Sequence, residues 1–416
     1  MKPCSVSIKA LFLIPAIFGC ISQTCAEDGN TIPTMKILWQ KEVTADANLD
    51  CSIGRVAFDK TNKKLLIAGT SFRPKVYSEG KLWLLKVGTN GENIDRTLFL
   101  KDFNENSAAA ATPEQWLISG LTISENNDVS LIGKFDDTSL SIMKMNQQGN
   151  VNKSVEIAGK NNSLKEGTII LNRIILPNDH FVLIGKNEDD NGVVIKISPE
   201  GTNLWEKTYK IGQGRVTLFS DGLSVGNDGD FIIVGCSANV SSKPRAFGQS
   251  DDFILQCDSQ GNILKQEFFS AGSGWPHKLP QTCRINGGNL LIVYDKDARF
   301  AASDIVMRAY SSDLKLLWEK EVLKSESIVL FKLTPVNQNG FVLAANIASG
   351  DLMVYQYDEK GNQIAGIAID KKVYPIILNP SLTWAENNVF VVAKGFPQGE
   401  KGRELSKIKI IALELK

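Results

Sequence analysis

Apolar residues along this chain come in short runs separated by polar turns, and several runs alternate with a period of two. The clearest run, LLIAG at 65–69, ends on a small residue, and it returns as SLIGK at 130–134, VLIGK at 182–186 and IIVGC at 232–236. Degenerate copies follow as LLIVY at 290–294, FVLAA at 341–345 and FVVAK at 390–394, which makes seven. The first four carry Gly69, Gly133, Gly185 and Gly235, at spacings of 64, 52 and 50 residues.

A second phrase follows each of the first six copies: an alternating strand, a Gly/Asn turn and another strand. Examples are SIMKMNQQGNVNKSVEI at 141–157 and FILQCDSQGNILKQEFF at 253–269. Turn glycines fall at 91, 149, 201, 261 and 361, a mean of 54 residues over five intervals, with Leu314 in the slot of one copy. QGN, EGT and KGN read as hairpin turns in which glycine supplies a positive φ. No stretch sustains a helical period, and the alanine run at 108–111 is cut off by Pro113.

Each unit therefore holds four short strands, and one such unit cannot bury both of its faces. Units of this length bury them when arranged radially. The seventh copy is divided between the chain ends: SKIKIIALEL at 406–415 supplies one strand, and MKILWQKEV at 35–43, which echoes LLWEKEV at 316–322, supplies the last. The pattern predicts an all-β fold, a seven-bladed β-propeller of four-stranded antiparallel blades, with N- and C-terminal strands sharing one blade to close the ring.

The N-terminus changes the compartment. Lys2 and Lys9 precede an apolar stretch at 10–22 that is too short to span a bilayer but suits a signal peptide, and Thr24-Cys25-Ala26 offers a cleavage site before Glu27. Ile17-Phe18-Gly19-Cys20 is the competing reading, a bacterial lipobox with lipidation at Cys20. The expected organisation is a signal peptide at 1–26, a short linker at 27–34 and a single propeller domain at 35–416. The expected location is periplasmic or secreted, with an outer-membrane lipoprotein as the alternative and membrane contact only if Cys20 is lipidated. The full chain balances 46 basic against 46 acidic residues, which argues against a nucleic-acid partner. After cleavage Cys51, Cys236, Cys257 and Cys283 remain, read as buried thiols or one structural bridge, the pairing left open.

The Leu-Trp-x-Lys pieces (Leu38-Trp39, Leu204-Trp205 and Leu317-Trp318) follow turns and resemble repeats of the quinoprotein-like (PQQ-like) propeller superfamily. The resemblance spans nearly all of the mature chain, but its motifs mark blades rather than an active site. Enzymes of that superfamily use a calcium-linked quinone and a nearby cysteine pair. This sequence has no adjacent Cys-Cys, and no cofactor ligand carries over. No cofactor is predicted, with calcium or a quinone left open.

Chemistry is sparse. GxSxG, Walker A and HExxH motifs are absent, and there are only two histidines. An aspartate recurs before the third strand of a unit (Asp137, Asp190, Asp252, Asp304 and Asp351), and the spacing favours loop capping over a shared calcium ion. The long connections all fall on one rim, where functional residues concentrate. One of them carries Trp275, His277 and Lys278, an aromatic-plus-basic set suited to a protein, peptide or glycan partner. Aligning the first strands places Asn172, Asp221, Gln281 and Lys332 on the channel wall at similar height, with Arg173 nearby. The reading leans away from an enzyme. It favours an exported binding or scaffold protein of the bacterial cell envelope, the alternative being a periplasmic enzyme or redox-enzyme subunit with a cofactor or metal at the channel mouth.

Overall fold

The computed structural model describes residues 32–43, 50–73, 76–92, 94–99, 118–123, 129–134, 140–146, 151–158, 169–176, 180–211, 215–225, 229–240, 247–270, 280–285, 288–295, 304–323, 328–336, 340–347, 351–370, 380–395 and 407–416. The signal and lipobox residues and the loop carrying Trp275, His277 and Lys278 lie outside them.

The first strand, β1 (Lys36–Val43), precedes six runs of four. These are β2 (Asp50–Asp59), β3 (Lys64–Arg73), β4 (Val76–Gly88) and β5 (Asp95–Phe99); then β6 (Ile118–Ile123), β7 (Val129–Lys134), β8 (Leu140–Met145) and β9 (Val151–Ala158). Next come β10 (Ile169–Ile175), β11 (Phe181–Lys186), β12 (Gly192–Ile197) and β13 (Asn203–Tyr209), followed by β14 (Arg215–Val225), β15 (Asp230–Val240), β16 (Phe247–Cys257) and β17 (Ile263–Ser270). The last two runs are β18 (Gln281–Arg284), β19 (Leu290–Asp295), β20 (Ile305–Tyr310) and β21 (Leu316–Leu323), and β22 (Ile328–Val336), β23 (Gly340–Ile347), β24 (Leu352–Asp358) and β25 (Gln363–Ile369). The chain ends with β26 (Ser381–Ala385), β27 (Asn388–Gly395) and β28 (Lys407–Glu414).

Each run of four forms one antiparallel sheet in sequence order. Counted as blades of consecutive strands, the expected seven is corrected to six. The remaining four-stranded sheet is composite, ordered β1-β28-β27-β26, because its outermost strand comes from the other end of the chain. There β1 runs antiparallel to β28 from Lys36↔Glu414 to Val43↔Ile408. The innermost strands β2, β6, β10, β14, β18, β22 and β26 touch one another in succession and return to β2, so the sheets form a closed β-propeller ring.

The second and third strands are predominantly apolar because most of their described side chains are buried on both faces. In β3, Leu65 and Ile67 pack with Phe390, Val392 and Ile410 of the composite sheet, whereas Leu66 and Ala68 pack with Leu121, Leu131 and Met143 of the next blade. Period-two alternation thus sends neighbouring residues into different interfaces. Among the described residues the core comprises seven apolar clusters, each between adjoining sheets. Burying each such side chain contributes about 1.5–3 kcal/mol.

The Leu-Trp-x-Lys pieces join blade to blade. Trp39 Nε1 donates to the Thr89 carbonyl at 2.7 Å, and Trp318 Nε1 donates to the Glu359 carbonyl at 3.1 Å. Each indole lies against a glycine of the next blade's outer hairpin: Trp39 on Gly91, Trp205 on Gly261 and Trp318 on Gly361. The lysine two residues on completes the joint. Lys41 reaches the Gly91 carbonyl, while Lys207 and Lys320 reach Asn262 and Asn362 Oδ1, both at 2.6 Å.

Candidate functional site

Four of the repeated glycines have a direct consequence for the channel. Gly69, Gly133, Gly185 and Gly235 each pair with the first residue of a β-bulge in the innermost strand: Ile53, Ile118, Ile170 and Phe219. A Cβ at Gly69 would sit 2.0 Å from the Trp83 ring and 2.3 Å from the Ser52 carbonyl, so only glycine admits that approach. The bulge inserts one extra residue and re-aims the next side chain. That next residue is Arg55, Gly120, Asn172 or Asp221, paired with Ala68, Ile132, Ile184 or Val234. The matching positions in the other sheets are Gln281, Lys332 and Ser381, paired with Val293, Ala344 and Val392. The register therefore sets one residue from every sheet at one level of the channel.

These residues form a hydrogen-bonded arc. Asn172 Nδ2 donates to Asp221 Oδ1 at 2.9 Å, and the Thr282 backbone N–H donates to Asp221 Oδ2 at 2.8 Å. Lys332 Nζ donates to Gln281 Oε1 at 3.3 Å. Arg55 Nη2 reaches Asn172 Oδ1 at 3.4 Å, spanning the position where the intervening blade has Gly120 and no side chain. Arg173 approaches that blade from the opposite side, its Nη2 donating to the Leu121 carbonyl at 3.0 Å.

Charge and burial act against each other here. Burial first, and then the nearby Arg55, lower the Arg173 pKa to about 9. Burial also lowers Arg55, with Asp221 opposing, and Lys332, where Arg55 adds to the effect and Asp221 opposes it. For Asp221, burial pushes the carboxyl up, opposed by the Thr282 and Gly222 N–H groups, Lys332 and Arg55. A site of this kind can hold charge and receive hydrogen-bond acceptors.

All five channel residues expected from the sequence are described. Asn172 and Asp221 bond to each other, Lys332 bonds to Gln281, and Arg173 turns to the neighbouring blade. Arg55 was missed. The extra residue of the bulge, Gly54, shifts simple alternation by one, and the Gly69 pairing was the signal that could have located it. Gln281 begins β18 directly after the connection that carries Trp275, His277 and Lys278.

Of the recurrent aspartates, Asp137 lies outside the described residues. Asp190 adopts a φ of 55° and pairs with Lys186 Nζ at 2.6 Å. Asp252 departs from the loop-capping expectation, because it is fully buried and neither carboxyl oxygen receives a hydrogen bond. Among the described residues no three His, Cys, Asp or Glu side chains are placed to share a metal ion. Cys51, Cys236, Cys257 and Cys283 are buried thiols, and no disulfide joins them.

No protein-family model matches the sequence, and no curated protein matches it, so the quinoprotein-like resemblance has no family support. Solved structures match over 92% of this chain. Drosophila Plexin A in complex with Semaphorin 1b is 10% identical over 88% of its own chain, with a TM-score of 0.52. The polysaccharide lyase Uly1 is 10% identical over 100% of its chain, with a TM-score of 0.57. BBS1N in complex with ARL6DN is 11% identical over 98% of its chain, with a TM-score of 0.51. At these identities the likeness shows the β-propeller fold alone.

Proposed function

We propose that this chain is an exported binding protein of the bacterial cell envelope, capturing a protein, peptide or glycan partner on one rim of its ring. The observation that carries the reading is the asymmetry of the two rims. On one rim the connections are short and fixed by their own side chains. Asp258 Oδ1 accepts from the Gln260 and Asn262 N–H groups, Asp358 Oδ1 accepts from Lys360 and Asn362, and Ser198 and Ser311 act similarly on their own turns. On the other rim the connections are longer in sequence, running over 100–117 between β5 and β6 and over 296–304 between β19 and β20. A rigid ring with variable loops on one face is the usual arrangement for recognition.

The convergence of charged groups in the channel is the observation that favours an enzyme instead. Its carboxylate is held by neutral donors and its cations are held by carbonyl oxygens, an arrangement that fixes charge rather than presents a nucleophile.

The test is site-specific photo-crosslinking in the exporting cell. The probe is placed at the exposed Asp189 or Lys210 on the long-loop rim, and at the exposed Gln260 or Lys360 on the short-turn rim. One discrete adduct from the first pair and none from the second is expected. Equal adducts from both rims, or none from the long-loop rim, would sink the reading. N-terminal analysis of the recovered chain distinguishes a start at Glu27 from a lipidated Cys20.

A further inference from the structure

We propose that the outer edge of β17 is a pairing surface for a second copy of this chain, which joins it antiparallel about a two-fold axis at Gln266. This is independent of what the rim captures.

The first support is an open apolar edge. β17 is the outermost strand of its blade, and among the described residues no strand pairs with its outer side. Leu264 is 56% exposed and Phe268 is 50% exposed, and Ile263 is exposed as well. Among the described residues no other outer strand leaves as many large apolar side chains in water. An unpaired edge of this kind is a template for a further strand. The ring already takes one on at β25, where the Gly366 N–H donates to the Pro33 carbonyl at 3.1 Å and the Gly366 carbonyl accepts from the Met35 N–H at 3.0 Å.

The second support is that β17 is complementary to itself. Two-fold symmetry makes the same strand both halves of the pair, so the residues on either side of the axis must suit each other. With Gln266 on the axis, Lys265 stands opposite Glu267 of the partner subunit, and Leu264 opposite the partner subunit's Phe268. Opposite charges and apolar side chains facing across antiparallel strands are favourable, whereas like charges oppose pairing. Lys265 and Glu267 are 3.4 Å apart and their side chains are 37% and 42% exposed, so both remain open to a facing charge. Lys265 also donates to the Asp313 carbonyl at 2.7 Å, so pairing adds to its contacts rather than supplying a missing one. Leu264 is the extra residue of a bulge, and the regular part of the edge begins at Lys265. Among the outer strands β1, β5, β9, β13, β17, β21 and β25, only β17 has a neutral residue between two opposite charges. In β21, by contrast, Glu319, Lys320 and Glu321 are consecutive, and an axis at Lys320 would set lysine on lysine and glutamate on glutamate. Because β17 runs from the short-turn rim to the long-loop rim, antiparallel pairing points the two long-loop rims in opposite directions.

The experiment is sedimentation equilibrium of the mature chain, from high dilution up to its solubility limit. A reversible monomer–dimer equilibrium is expected, and a weak one, since stable interfaces bury about 1,200–2,000 Å² and a single strand pair buries less. Glu267→Lys and Lys265→Glu each set like charges across the axis twice, and each should weaken dimerisation roughly tenfold or more. Mixed in equal amounts, the two variants should dimerise again, because the lysines of one then face the glutamates of the other. Should Lys265→Glu fail to fold for want of its contact with Asp313, Gln266→Cys decides. Oxidation should then join two copies through the residue on the axis, since Cys51, Cys236, Cys257 and Cys283 are buried. A chain that stays monomeric at every concentration would overturn the proposal. So would a dimer indifferent to the charge reversals, a mixture that stays monomeric, or a Gln266→Cys chain that does not cross-link.

Discussion

Asp252 is the residue whose surroundings depart furthest from its chemistry. Its carboxyl is completely buried at the start of the inner part of β16, paired with Cys236 on one side and Phe269 on the other. Burial first, then the neighbouring Asp251 and Asp295, push its pKa up to about 8, with Arg308 opposing. A carboxyl raised this far takes up a proton on folding. Its contribution to stability is therefore fully present below the ordinary carboxylate range and is lost as pH rises toward about 8. Asp252→Asn cannot ionise, so denaturant unfolding between pH 5 and pH 8 should show a flatter decline, with the variant gaining on the wild type at the alkaline end. Parallel profiles for the two proteins would show that Asp252 is ionised in the folded chain. The sequence marked this aspartate as one of a recurring set, but not as the one without donors. Recurrence reveals position in the repeat, whereas donor supply depends on which loop comes back beside it.

At the scale of the element, the hairpin turns are the parts most legible beforehand, because each is fixed by residues close in sequence, whereas the tryptophan joints link residues 41 to 50 apart in the chain. Asp258 to Asn262 and Asp358 to Asn362 build the same turn with the same bonds, and Leu314 occupies the glycine slot of its own turn at a φ of 57°. Leucine persists there although the left-handed region costs a non-glycine residue about 1–2 kcal/mol, because its side chain is buried and contributes about as much or more. The bulges were not legible. They depend on a glycine of β3, β7, β11 or β15 lying across from the innermost strand, a pairing between strands that no single-strand periodicity contains. Asn172 and Asp221 fall at one level of the register, because aligning one copy with another carries the shift along with it. Arg55, which falls at the same level in β2, was not among the residues the alignment named. For the joints, Gly361→Ala puts a Cβ 2.8 Å from the Trp318 ring at a φ of 73°, so two costs fall on one position. A loss of about 1–3 kcal/mol is expected in chemical denaturation. Trp318→Ala should remove that steric conflict, so adding Gly361→Ala to it should cost less than adding it to the wild type. Strictly additive losses would mean that the indole and the glycine do not meet.

At the scale of the whole molecule, stability depends on closure. Every sheet buries its second and third strands only because another sheet stands on each side, and the composite sheet is flanked on both sides in the same way. Its outer strand is held by the β1–β28 ladder, by Lys409 Nζ against Glu42 at 3.1 Å, and by the Trp39 joint to the hairpin after β4. This ion pair, open to solvent on its Glu42 side, adds little by itself. Burial of Ile408, Ile410 and Ile411 on β28 carries far more, and these side chains serve both neighbouring interfaces. Removing 407–416 would therefore strip the third strand from the sheet that joins the ends. It would leave β1 without its partner and expose the apolar faces of β3 and β24 together. The loss should not stay local: a chain ending at residue 406 is expected to lose cooperative melting, or to melt far below the full chain, with aggregation through the opened edges of β27 and β1. Deleting only 32–43 should be milder, because β26, β27 and β28 still cover both interfaces and only the outermost strand is lost. Scanning calorimetry of the two truncations beside the full chain tests the ranking. Closure would be the wrong account of stability if the chain ending at 406 kept the full melting temperature, or if the N-terminal truncation proved the more damaging.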